Sequence, residues 1–162
     1  MAIKALGNRQ GVTQFNSEER PVTNSVTVTD GDFVKLASGA VTNATIGTGK
    51  LYGVVQGGPN DDLTSRVYRP MTTTGDAGGT KRVLIQMVED QLFDLPVSAA
   101  LASDAEGSYY SLTGGTGVQT VDNTTKSASA GQLLCVKRVA DASGNFTRGQ
   151  FVVSNKTTDT SA

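Results

Sequence analysis

The chain has no histidine, no tryptophan and a single cysteine, Cys135, among its 162 residues. Without imidazole, Ser-His-Asp and Cys-His nucleophiles, a histidine general base and most zinc or iron sites are excluded. One thiol cannot close an intramolecular disulfide or build a cysteine zinc cluster, and within LLCVKRV Cys135 reads as a small buried apolar residue. An excess of either charge is missing too, since 14 basic and 15 acidic residues are scattered to a formal net charge of −1. A nucleic-acid binder needs a positive stripe to displace phosphate counterions, so no nucleic-acid partner is expected. No apolar run approaches the ~18 residues of a spanning helix. The opening MAIKALGNRQ also lacks the apolar core of a signal peptide, so no membrane role is expected.

What the chain does have is glycine, threonine and serine. Its 37% hydrophobic fraction falls below the roughly 45–50% of ordinary globular domains, even with glycine counted in that band. Many turns and a thin core follow, and the length suits one domain. Residues 1–24 are polar, with Ile3, Leu6, Val12, Phe15 and Val22 at no sustained period, and read as an extended N-terminal arm. From Ser25, SVTVTDGDFVKL alternates Val with Thr up to an Asp-Gly turn, which is strand, turn, strand. LYGVVQ reads as a further strand, and SRVYRPM as one that Pro70 confines to an edge. TTTGDAGGT reads as a loop. RVLIQMVEDQLFDLPV could pass for a helix over 83–92. Its alternation and turn-rich flanks favour two strands meeting near Glu89-Asp90. VSAALASDAE suits one short helical turn, and SYYSL, GVQTV, QLLCVKRVA and FVVSN read as strands separated by TGGTG, NTTKSASAG and DASGN. The expectation is an all-β domain over 25–153, a small β-barrel, β-tulip or sandwich-like form, with the arm before it and a polar tail over 154–162.

Little in this pattern carries chemistry. GTGK at 47–50 resembles the end of a phosphate-binding loop, but Ala44 and Leu51 stand where that loop requires Gly and Ser or Thr. The carboxylates Asp30 and Asp32, Asp61 and Asp62, and Asp90 and Asp94 could in principle ligate calcium or hydrolyse a glycoside. Aspartate in a turn also caps backbone amides on its own account, and the aromatic-lined cleft a glycosidase needs has no tryptophan to build it. The expectation is therefore no catalytic residue, no metal and no cofactor. Most aromatic residues fall inside strands as core. Tyr109-Tyr110 puts one ring on each face of a strand, so one of the two is a candidate exposed contact. In the arm, Arg9, Phe15 and Arg20 are the candidate interface anchors, because Arg and aromatic residues are enriched in that role.

GDFVKLASGAV (31–41) and GSYYSLTGGTGV (107–118) echo each other, each followed by a Leu-rich strand; this is either an ancestral duplication or two hairpins of one barrel. The succession GDFVKLASGAV, KLYGVVQGG, RVLIQMVEDQLFDLPV and EGSYYSLTGGTGVQTV resembles the phage head decoration, or cement, proteins over roughly 25–153. The resemblance implies a β-barrel or β-tulip domain, often a homotrimer, made in the host cytoplasm. It would seat on the outside of an icosahedral virion capsid and hold adjoining major capsid subunits together. No residue here matches a docking residue common to that family, so none is carried over. A carbohydrate- or receptor-binding β-domain of a virion surface protein is the alternative.

Overall fold

The computed structural model describes residues 4–8, 17–44, 49–59, 68–69, 72–88 and 91–155. Every regular element among them is a strand: β1 (Lys4–Asn8), β2 (Ser17–Pro21), β3 (Thr27–Thr29), β4 (Phe33–Ala37), β5 (Ala40–Asn43), β6 (Gly53–Pro59), β7 (Tyr68–Arg69), β8 (Thr72–Thr74), β9 (Arg82–Met87), β10 (Gln91–Pro96), β11 (Tyr109–Thr113), β12 (Thr120–Ser127), β13 (Leu133–Val139) and β14 (Arg148–Val153). They form three antiparallel sheets, ordered β2-β9-β6-β4-β5, β1-β10-β14-β13-β11-β12 and β3-β8, with β7 beside β6. The all-β expectation therefore holds in its sandwich-like form, and no closed barrel forms among the described residues.

The two large sheets are the same object twice. In each, five strands taken in chain order, a to e, lie in the order a-e-d-b-c: β2, β4, β5, β6 and β9 in the first, where β3, β7 and β8 are insertions, and β10, β11, β12, β13 and β14 in the second. Pro21 stands opposite Arg82 and Pro96 opposite Arg148. Immediately after each proline, Val22 makes a parallel bridge to Val41 and Val97 makes one to Val121, tying strand a to strand c. One residue bulges from each strand d, Gln56 between Val55 and Gly57, and Val136 between Cys135 and Lys137. The arginine that opens each strand e reaches the acidic residue two before the proline. Arg82 Nε donates to Glu19 Oε1, and Arg148 Nε donates to Asp94 Oδ1 at 3.0 Å. The turn leading into strand e repeats as Asp-Ala-x-Gly. The amides of Gly79 and Gly144 donate to the carbonyls of Asp76 and Asp141, while Thr80 and Asn145 donate to their carboxylates. Independent hairpins would not share register, bulge, bridge and ion pair, so the echo read in the sequence is one edge of a duplicated module.

The modules stack face to face. In β4, Phe33 and Val34 are both fully buried yet point to opposite faces, so the first sheet is covered on both sides. Val34 joins Val22, Val28, Val41, Tyr52, Val55, Val83 and Ile85 in a core private to the first module. Phe33, with Leu51 and Val54, joins the inner face of the second sheet in a larger shared core, where its ring meets Phe93 edge-on at 5.2 Å between centroids. Gln119 fastens this junction: its Oε1 accepts from Phe33 N–H at 2.7 Å and its Nε2 donates to Phe33 C=O at 3.1 Å. The β4–β5 hairpin closes through Ser38 (φ 49) and Gly39 (φ 80), two positive-φ residues as a type I′ turn requires.

Several elements differ from the sequence reading. Within 1–24, β2 is a full strand paired to β9 and β1 pairs to β10, so much of the reputed arm belongs to the sheets. Backbone pairing supplies what the sparse apolar pattern does not. The first part of TTTGDAGGT is β8, because its threonines find the Thr-Val-Thr of β3: Thr27 and Thr74 hydroxyls lie 2.8 Å apart, and Thr29 and Thr72 hydroxyls 2.9 Å. β12 runs to Ser127 through the residues read as a loop. No helical turn forms over 97–106; Leu101 and Ala105 instead plug the shared core. The two strands expected around Glu89-Asp90 are β9 and β10, and they belong to different sheets. The tail beyond Asn155 lies outside the described residues.

Candidate functional site

The described carboxylates are mostly committed to holding the backbone. Asp32, 1% exposed, accepts from Thr29 N–H at 2.9 Å and from Gly117 N–H at 2.7 Å, tying the first module's turn to the β11–β12 loop. Burial pushes its carboxyl above the usual range, the charge of Asp30 adds to this, and the two amide donors oppose it. Asp30 is raised as well, by burial. Asp76 and Asp141 cap the repeated turns, and their hydrogen bonds hold both carboxyls low, led by the Thr80 hydroxyl for Asp76 and the Asn145 amide for Asp141. Asp104 is lowered by hydrogen bonding to Lys126. Asp94 and Glu19 face the equivalent arginines. No group of three His, Cys, Asp or Glu suited to a metal ion occurs among the described residues, and Asp61, Asp62 and Asp90 lie outside them.

Gly49 and Lys50, the end of GTGK, lead into a strand, and Gly49 C=O accepts from Gln132 Nε2. This is a cross-module tie, and among the described residues no helix offers an N-terminus to a phosphate. Cys135 is buried, and its thiol is pushed up to about 11 by burial, with Glu106 adding to the effect. A thiol so placed stays protonated at neutral pH and is inert.

Of the candidate anchors, Arg9 and Phe15 lie outside the described residues. Arg20 lies on β2, where Nε donates to Glu18 Oε1 and to Tyr52 Oη, and the guanidinium sits 5.7 Å from the Tyr52 ring centroid. It closes the end of the first module's own core, a role the sequence reading missed because Tyr52 is 32 residues away.

The face that remains is the outer side of the second sheet. Tyr110 turns inward and meets Phe151 edge-on at 6.0 Å, leaving Tyr109 as the outward ring of the pair. Register places Tyr109 opposite Leu134, Leu134 opposite Val152, and Val152 opposite Leu92, one apolar row across β11, β13, β14 and β10. The bulged Val136 beside it is 38% exposed. The neighbouring row runs Asp94, Gln150, Lys137. Such a face can bind by apolar contact along the first row and by polar contact along the second. Comparisons with protein-family models, with curated proteins and with solved structures found no match.

Proposed function

We propose that the chain is a structural, non-catalytic protein of a phage capsid, a decoration protein that sits on the outside of the head and binds neighbouring major capsid subunits together. The observation that carries this reading is the use of the polar groups. Buried and half-buried carboxylates, amides and arginines tie turns, sheets and modules to one another, which suits a body that transmits load and leaves little for chemistry. The shared core makes the two modules one rigid piece, and the sequence resemblance supplies the shell as the partner. Many weak copies around a symmetric shell then act together through multivalency.

The test is cosedimentation of the full chain with phage heads assembled without it. Saturable binding at a fixed ratio to capsid subunits supports the reading. Absence of binding to any expanded head, together with selective binding on a glycan array, replaces it with a carbohydrate-binding β-domain. A version starting at Ser25 is a poor probe, because it removes β2 from the first sheet; one starting at Arg9 removes β1 alone.

A further inference from the structure

The layers run from the β3–β8 ribbon through the first module's private core, the first sheet and the shared core to the second sheet. One end of this stack is capped. Val28 of the ribbon lies in the private core, the four paired threonines face outward, and Arg20 covers Tyr52. The other end is the outer face of the second sheet, which no described element covers. Repeat proteins need a polar cap at each terminal unit, and this end has an apolar row instead.

The duplication says what that row is built to do. Its counterpart in the first module is Phe33, Val54, Gln86 and Ser17, in the same register. There Phe33 and Val54 bury against another copy of the module, the second half of this chain. Tyr109, Leu134, Val152 and Leu92 occupy the equivalent positions with more apolar surface and no module beside them. Val152 is 7% exposed and stands beside a leucine on either neighbouring strand, so the row forms a continuous strip.

We infer that this face pairs with the same face of a second copy of the chain, joined through a two-fold axis. Head-to-tail stacking cannot continue, because the receiving side of the first module is closed by the ribbon and by Arg20, where the second module offers Leu95. Like faces are what is left, and a self-complementary patch gives a closed dimer. A two-fold axis along the strands and over β14 lays β10 of one copy over β13 of the other, so Leu92 meets Leu134 and Val152 meets its own counterpart, while the Asp94–Arg148 pair stays closed within each copy. Six strands at about 4.8 Å spacing and about six residues in length make a face of roughly 29 by 20 Å. This is the small end of specific interfaces, so the dimer is a weak one. The two-fold contact stands apart from the capsid reading and differs from the trimer that the family resemblance implies.

The test is sedimentation equilibrium of the full chain from about 5 to about 200 µM, the range in which a weak dimer titrates by mass action, on wild type, Leu134→Glu and Val136→Lys. Val136 is exposed at a bulge, so its variant keeps the test open should Leu134→Glu fail to fold. The expected result is a monomer–dimer equilibrium in wild type, shifted at least tenfold toward monomer in the folded variants. A wild-type monomer throughout, a trimer, or a dimer indifferent to both variants overturns the inference. So does a monomeric wild type whose head binding is lost in the variants, since the face then meets the shell.

Discussion

Replacing Phe33 by alanine tests whether the duplicated modules are one mechanical body. Phe33 is fully buried between the sheets, its ring meets Phe93, and both its backbone groups are held by Gln119. Truncating a buried phenylalanine costs about 3–5 kcal/mol. For a chain of this size that is a fall in Tm of roughly 6–20 °C, at about 2–4 °C per kcal/mol. The pair with Phe93 should add a coupling of about 0.5–1.5 kcal/mol in a double-mutant cycle. Urea unfolding followed by tyrosine fluorescence and by far-UV circular dichroism reads both quantities. If the shared core joins the modules, wild type and Phe33→Ala each unfold in one transition that coincides in the two probes, with the variant lower by the stated amount. A cost under about 1 kcal/mol, well below the range for a buried ring, or two separated transitions in wild type, would refute the single-body argument.

Gly53→Ala should cost about 1–3 kcal/mol in the same assay, as overpacking does, because a Cβ there runs into the Ile85 side chain and the Gln86 carbonyl; a neutral result contradicts the packing of β6 on β9. Cys135 should resist Ellman's reagent at pH 8 in the folded protein and react fully in denaturant, and rapid native labelling would show that its burial is wrong. Acidification gives a signed prediction. Above the ordinary aspartate value of 3.8, folded Asp32 keeps a proton that the unfolded chain has released, so its contribution to stability falls as pH rises through its raised pKa. Wild type should therefore gain stability relative to Asp32→Asn as pH drops from 7 to 4, and a difference that does not change with pH contradicts this. Below 3.8 both proteins lose stability together, because Asp76, Asp104 and Asp141, present in each, titrate lower in the fold and lose their favourable bonds when protonated, so this loss cancels in the comparison.

Much of the strand content was legible because it rests on local rules. Val-Thr alternation placed β3, Asp-Gly and Ser-Gly turns bounded β4, and the turn-rich flanks of RVLIQMVEDQLFDLPV favoured β9 and β10 over a helix. β2 and β8 were not legible, because SEERP and TTT carry no apolar period and become strands only when β9 and β3 lie beside them. The duplication was half visible. The hairpins share Gly-x-aromatic-x-x-Leu, but the firmer markers, Pro-Val after strand a and Asp-Ala-x-Gly before strand e, are short and unevenly spaced, and they gain meaning only from register. At the candidate site, one outward tyrosine was foreseeable from alternation. The row it belongs to was not, since Leu92, Tyr109, Leu134 and Val152 come from four strands spread over sixty residues. Arg20 reads as an anchor from the enrichment of arginine at interfaces, and its contact with the Tyr52 ring is invisible in the sequence because the two are 32 residues apart.

The central claim is mechanical, and the direct measurement is DNA release from filled phage heads on heating, with and without saturating chain. The account predicts that decorated heads hold their DNA to a higher temperature, and that the gain follows the fraction of sites occupied. Saturable binding that leaves the release temperature unchanged would contradict it.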